Sequence, residues 1–381
     1  MKGIAEFEAV VAAANLPGAV ALITDSKDTR YSRAFGMADA VNGVPMREDT
    51  LFQIASMTKA LTSVAVLQLV ERGKLDLDAP VGSILPELAE PQVLDGFDDA
   101  GTAILRPAQT PVTLRHLLLH TSGCGYTFMN ADLLRHAMAT GKMAGGKRAS
   151  LDLPLLFEPG TQWQYGVGID WAGLAVEAVT GITLGEWFER EITGPLGMTQ
   201  TRFRATWDAD AAQIHVREAG GGFKTQGMVL GGGEYHNGGG GLSSTAGDYA
   251  RFLRMILRGG ELDGVRVLSP EMARIAREDA LPEHLSAGEM TTAMPSFASA
   301  FNPLPGQRGG WTLGGFLVNT ETGPAGRSPG SLHWAGIFNC YYWIDTERDF
   351  AGVILAQIAP FADPGVLDSF AALERMACAN A

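Results

Sequence analysis

The segment Thr58–Arg72 constrains the fold more than any other stretch of the chain. Leu61, Val64, Ala65, Val66, Leu67, Leu69 and Val70 put apolar side chains nearly all the way round a helix. Such a helix has no face to offer water, so it must be buried by the rest of the molecule. Gly73 stops it, and residues 74–82 (KLDLDAPVG) read as an extended exit. A chain of 381 residues, 46% of them apolar, can supply the surrounding core.

The two ends of the chain carry strand patterns and the middle carries helical ones. Residues 4–14 have helical periodicity with Ile4, Phe7, Val10, Val11 and Ala14 on one face. Gly18 to Thr24 reads as a strand, Asp25–Asp28 as a turn, and Tyr31 to Met37 as a second strand of a hairpin. At the other end, 311–318, 337–344 and 350–358 are strand-like, residues 345–349 join the last two, and 365–377 form a closing helix. Between them, helices are expected at 113–119, 131–139, 170–180, 184–192, 246–258 and 270–277. The expected class is α+β. An antiparallel sheet domain flanked by terminal helices is built from residues 1–80 and 290–381, and a mainly helical domain with loops lining the cleft spans 81–289. The glycine-rich stretches 219–222 and 231–241 follow no clean strand and match neither phosphate-binding pattern. They read as flexible loops, and the segment 219–241 as a candidate for part of the cleft wall.

Charge and cysteine content narrow the function classes. A formal net charge of −13 repels phosphate backbones and anionic membrane surfaces, so neither nucleic acid nor membrane is an expected partner. The three cysteines, Cys124, Cys340 and Cys378, are scattered and read as unpaired thiols. Glu6 and Glu8 interrupt the apolar N-terminus, which reads as an amphipathic helix and not as a signal peptide. A cytoplasmic location is the expectation. None of the seven histidines forms a convincing metal spacing, His116 and His120 included, and neither metal nor cofactor is implied.

Chemistry is suggested at three places. Ser56-Met57-Thr58-Lys59 is the chain's only S-x-x-K, and it opens the buried helix. Side chains three residues apart share a helical face, so the hydroxyl and the amine can meet. Burial and the positive helix end both favour the neutral amine, which could accept the serine proton. Taken alone, the same residues also describe a capping serine and a snorkelling lysine. Tyr165, in a loop after the Glu158-Pro159-Gly160 turn, could pass protons to a leaving group or be an ordinary interface tyrosine. Trp334-Ala335-Gly336 enters a strand from Ile337, whose N–H with that of Ser56 would make an oxyanion hole.

In this order and spacing, these elements resemble the class C β-lactamase superfamily, and within it the bacterial carboxylesterases called family VIII. The similar segments are 51–81 (LFQIASMTKALTSVAVLQLVERGKLDLDAPV), 112–128 (VTLRHLLLHTSGCGYTF), 157–203, 238–257 and 334–345. The resemblance implies a sheet domain plus a helical domain with the site between them. It implies Ser56 as nucleophile, Lys59 and Tyr165 sharing base and acid work, and an oxyanion hole from the Ser56 and Ile337 amides. Tyr126 falls where these esterases carry a cleft-lining tyrosine. Trp334, Gly336, Val167 and His333 complete the expected substrate-binding set.

The β-lactamase pattern has Tyr-x-Asn and Lys-Thr-Gly. Here Val167 stands at the Asn position, and no lysine follows Lys224, so Trp334 stands where the cation would be. An amide and a cation suited to a β-lactam are absent, and an apolar ring suits an uncharged ester. Gly326-Arg327-Ser328-Pro329-Gly330 matches another hydrolase motif, G-x-S-x-G. Pro329 lacks the N–H which that motif's oxyanion hole needs, so it reads as a turn. The expected activity is hydrolysis of small carboxylic esters through an acyl-enzyme on Ser56. Acyl transfer or weak β-lactam or amide hydrolysis on the same fold is the alternative, and a catalytically inactive binding protein is the alternative of another class.

Overall fold

The computed structural model describes residues 1–381 apart from Ala144, Ala219 and Gly221. Its centre is an eight-stranded antiparallel sheet in the order 309–311, 317–319, 332–336, 340–345, 350–356, 18–24, 29–39, 44–45. The two chain ends are therefore joined at its middle, where Ala19 pairs with Ala356 and Thr24 with Ala351. Every residue of Gly18–Thr24 is buried. That explains why this strand reads as a continuous apolar run instead of an alternation: both faces of the sheet are covered.

Aromatic contacts identify the two covers. Tyr342 packs against Tyr249 of the helix Ala246–Leu257. Its strand neighbours Tyr341 and Trp343 meet Phe370 of the C-terminal helix Pro364–Cys378. Successive residues of a strand point to opposite faces, so these helices lie on opposite sides. The N-terminal helix Ile4–Ala13 joins the C-terminal one, and its Phe7 reaches Tyr31 and Phe35 of the second strand.

The helix Thr58–Glu71 is buried from Thr58 to Leu69, as its apolar circumference requires. It packs against the helices Gly168–Thr180 and Leu184–Phe188. Trp187 donates to the Gln68 side chain at 3.0 Å, which satisfies that buried amide oxygen. The helix starts abruptly. Ala55 sits at φ 46°, a left-handed conformation that a residue with a Cβ rarely adopts. Ser56 belongs to the single 3₁₀ turn Ala55–Met57 and caps nothing with its side chain.

The structure departs from the sequence reading at several elements. The expected strand 311–318 is two short strands, Gly309–Trp311 and Leu317–Asn319, because Gly314-Gly315 turns the chain between them. The expected strand 337–344 begins later, at Cys340. Leu332–Gly336 is itself a strand, Ile337–Asn339 is the turn, and Cys340–Asp345 returns antiparallel to it, with Asn339 supplying a left-handed residue. The middle of the chain also contains hairpins that helical periodicity did not reveal, Gln92–Phe97 with Ala103–Pro107 and Ile214–Arg217 with Phe223–Gln226. Residues 231–241 carry no helix or strand, whereas two positions of the stretch 219–222 lie outside the described residues. Gly326–Gly330 is a turn whose Ser328 amide is bonded to Asp345 at 2.9 Å. Among the described residues the cysteines are unpaired, no helix is long and apolar enough to cross a membrane, and no group of three potential ligands could hold a metal.

Strand Leu332–Gly336 lies against the 3₁₀ turn that carries Ser56. A Cβ on Gly336 would come within 2.4 Å of the Ile54 carbonyl oxygen. Gly336→Ala is therefore expected to force strand and turn apart. It should destabilise the fold by about 1–3 kcal/mol, read as a lower midpoint in thermal denaturation.

Candidate active site

Four distant segments meet around one amine. Lys59, one turn into the central helix, has no solvent exposure. Its Nζ donates to the Gly239 carbonyl at 2.6 Å, to the Tyr126 hydroxyl at 2.9 Å and to Ser56 Oγ at 3.2 Å. Its position also lies 4.6 Å from the centre of the Tyr165 ring and 5.2 Å from that of Tyr126. Ser56 and Lys59 thus meet on one helical face, as their spacing predicts.

Two loops deliver the tyrosines, and they are pressed together. A Cβ on Gly166 would fall 1.7 Å from the Cys124 carbonyl oxygen, so only glycine lets these backbones approach. The Tyr126 and Tyr165 rings end 5.4 Å apart. His120, held at φ 56°, supports the second loop from below: its Nδ1 accepts the Gly166 N–H at 3.3 Å and its ring packs 4.7 Å from Tyr165. Burial and the nearby Lys59 push the His120 imidazole well below its ordinary value, so it serves as a neutral acceptor. The spacing of His116 and His120 suggested a shared helix, but the helix ends at Leu118 and His120 lies beyond it.

The hydroxyl groups are not distributed as the sequence suggested. The phenol bonded to the amine is that of Tyr126, the residue expected only to line the cleft. Tyr165 presents its ring to Lys59, and its hydroxyl accepts the Trp334 indole N–H at 3.0 Å. Enclosure and the Asp170 carboxylate, with Tyr165 and Tyr235 adding smaller effects, hold the Tyr126 phenol well above its usual range, so it keeps its proton.

A cleft opens over Ser56, with about 930 Å³ of space continuous with solvent. Ser56, Tyr126, Tyr165, Trp334, Gly336 and Ile337 all line it, and Lys59 lies beneath them. Phe128, Met129, Leu230, Met290, Phe297 and Phe361 make its outer walls, and none of the described lining residues has an ionisable acid or basic side chain. Asn237, Gly239 and Gly240 also line it, so the glycine-rich stretch 231–241 does supply cleft wall.

Two expected substrate contacts are corrected. His333 pairs with Trp343, whose ring meets the C-terminal helix, so His333 faces away from the cleft while Trp334 faces into it. Strand alternation is the reason. Val167 precedes the helix Gly168–Thr180 and packs against the core instead of lining the cleft.

One residue near the centre was not singled out from the sequence. Asp170, in the first turn of Gly168–Thr180, is 1% exposed, and its Oδ1 accepts the Gly239 N–H at 3.0 Å. Burial pushes its carboxyl up to about 6 against the opposing pull of Lys59 and the Gly239 amide. An acid opening an otherwise apolar helix was the signal available.

Comparison with known proteins follows the same outline. The family model described as Beta-lactamase matches residues 4–376. A monacolin J acid methylbutanoyltransferase of Aspergillus terreus is 35% identical over 379 residues, covering 94% of this chain and 90% of the relative. A lovastatin esterase of Penicillium rubens is 32% identical over 368 residues, covering 91% and 90%. The unliganded structure of a simvastatin synthase from Aspergillus terreus superposes with a TM-score of 0.84 at 30% identity, over 100% of this chain and 99% of that one.

The two phenols should differ in what they stabilise. Tyr165→Phe leaves the buried Trp334 N–H without an acceptor and is expected to cost about 1–3 kcal/mol. Tyr126→Phe leaves Lys59 its bonds to Gly239 and Ser56, and should lower the denaturation midpoint less. Thermal denaturation of the two variants side by side checks the order.

Proposed function

The chain belongs to the Beta-lactamase family, and we propose that within it the chain is a serine esterase that forms an acyl-enzyme on Ser56 from small, uncharged carboxylic esters. The observation that carries this reading is the contact of one half-buried hydroxyl with a wholly buried amine at the floor of an apolar cleft.

In this mechanism Lys59 Nζ donates to the Gly239 carbonyl and the Tyr126 oxygen and turns a lone pair to the Ser56 proton. Ser56 Oγ then attacks the ester carbonyl carbon while its proton passes to Nζ. The developing oxyanion would sit between the Ser56 and Ile337 N–H groups. Among the described residues, neither amide is used in the backbone bonding of turns and caps. Tyr165 receives a hydrogen bond from Trp334, so its own O–H remains free to face the leaving alkoxide from the cleft wall. The alcohol departs with the proton that Nζ took from Ser56, which frees the amine to act again. Water then gives its proton to Nζ as it attacks the acyl carbon, and that proton returns to Ser56 Oγ as the acid leaves.

Trp334 in place of a cation, and a lining without ionised side chains, support an uncharged substrate over a β-lactam carboxylate. A second reading is transfer of the acyl group to an alcohol. It is favoured by the similarity to a methylbutanoyltransferase and by a cleft with room for an apolar acceptor beside the acyl group. Hydrolysis and transfer share the acyl-enzyme and differ only in what attacks it.

Ser56→Ala is expected to reduce turnover of p-nitrophenyl butyrate by at least about 1,000-fold while leaving the denaturation midpoint near wild type. A fluorophosphonate should label wild-type Ser56 and not the variant. Wild-type rates in Ser56→Ala would refute the assignment. Nitrocefin should turn over at least about 100-fold more slowly than the ester, and product analysis with an added alcohol measures the share of transfer.

A further inference from the structure

We infer that Asp170 is a positioning residue for the amine. Its carboxylate anchors Gly239 against Lys59 and supplies the buried negative charge that faces Lys59 while the amine holds the serine proton. The inference rests on the reading that Lys59 takes that proton.

The link runs through one residue. Asp170 Oδ1 accepts the N–H of Gly239 at 3.0 Å, and the carbonyl of the same residue accepts from Lys59 Nζ at 2.6 Å. The N–H belongs to the peptide that joins Gly238 to Gly239, and Thr62 Oγ1 donates to the Gly238 carbonyl of that peptide at 2.7 Å. A carboxylate at one end and a hydroxyl donor at the other polarise it in the same sense and fix Gly239 against the central helix, with the next peptide's carbonyl aimed at Lys59. Among the described residues, Asp170 and Lys59 form no direct ion pair; Gly239 lies between them, bonded to one by its N–H and to the other by its carbonyl. A buried carboxylate that finds no cation in contact is costly to keep, and the useful return is its field at the amine.

The groups facing this carboxylate come from three other elements: Lys59 from the central helix, Tyr126 from its loop and Tyr235 from the glycine-rich segment. Both phenols are held above the ordinary phenol range, by burial first and by Asp170 second. His120, which faces Lys59 from the other side, is pushed well below its ordinary value. Of Asp170, the two phenols and His120, Asp170 is the one that changes charge in the mildly acidic range. Above its titration the carboxylate is charged and favours the protonated amine formed during reaction. Below it the counter-charge is gone and the rate falls.

The test is the pH profile of kcat and KM for p-nitrophenyl butyrate. In the wild type, kcat should fall as pH drops through about 6. Asp170→Asn keeps an acceptor for the Gly239 N–H and loses the charge. It should have a kcat about 10- to 100-fold lower at neutral pH, little change in KM, and no inflection near that pH. Asp170→Glu keeps the charge and should keep an acidic limb. A wild-type profile that is flat across that range overturns the inference without any variant, as does Asp170→Asn with a wild-type limb or a wild-type kcat. Fluorophosphonate labelling separates the two levels: failure to label wild-type Ser56 defeats the acyl-enzyme reading, whereas labelling with an unchanged Asp170→Asn profile defeats only the role of Asp170.

Discussion

A primary amine shut away from water needs oxygen atoms around it, and supplying them to Lys59 organises this molecule. The central helix can offer only Ser56 from its own start. The other two partners come from residues 67 and 180 positions further along the chain. Each must arrive with its oxygen pointing inward, and each arrives by a different device. Tyr126 is delivered by a loop locked onto Gly166, and the Gly239 carbonyl by a residue whose own N–H is held by Asp170. An unmet donor in this place would cost more than either loop could recover by packing alone. The cleft is what remains in front of the amine once those partners are seated.

The sheet holds the second half of the arrangement. Strand Leu332–Gly336 touches the turn bearing Ser56 and sends Trp334 to the cleft side and His333 to the opposite side. The indole then connects the two halves: its N–H bonds the Tyr165 hydroxyl, and its ring packs edge-on against Trp311 at 4.7 Å. Aromatic rings take the place that a cation holds in the β-lactamase pattern, and they provide rigidity where the cation would provide charge.

Much of this was legible in the residues, for physical reasons that also mark the limits. The central helix and the strands Gly18–Thr24 and Phe350–Ala356 announce themselves because burial on all sides leaves unbroken apolar runs, and the terminal helices do so through one apolar face each. The hairpin Gln92–Phe97 with Ala103–Pro107 does not, since partly exposed strands of mixed polarity lack such a run. Ser56 and Lys59 are a local pair, so spacing sufficed. Which of Tyr126 and Tyr165 bonds the amine depends on how two loops dock, which no periodicity encodes. His333 was misplaced because a strand taken to begin at Ile337 leaves residue 333 without an alternation to follow. Asp170 was passed over because its importance lies in a backbone amide 69 positions away.

The pairing of Gly18–Thr24 with Phe350–Ala356 carries a consequence for how the molecule comes into being. This contact joins residues more than 300 positions apart in sequence, at the middle of the sheet and not at its edge. During synthesis the first strand waits, with only its hairpin partner beside it, until a strand more than 300 positions later has left the ribosome. The strand that abuts the serine turn and the one that closes the sheet both emerge long after the serine turn itself. Chemical competence therefore arrives late and all at once, and an unfinished nascent chain has an exposed apolar strand but no working cleft.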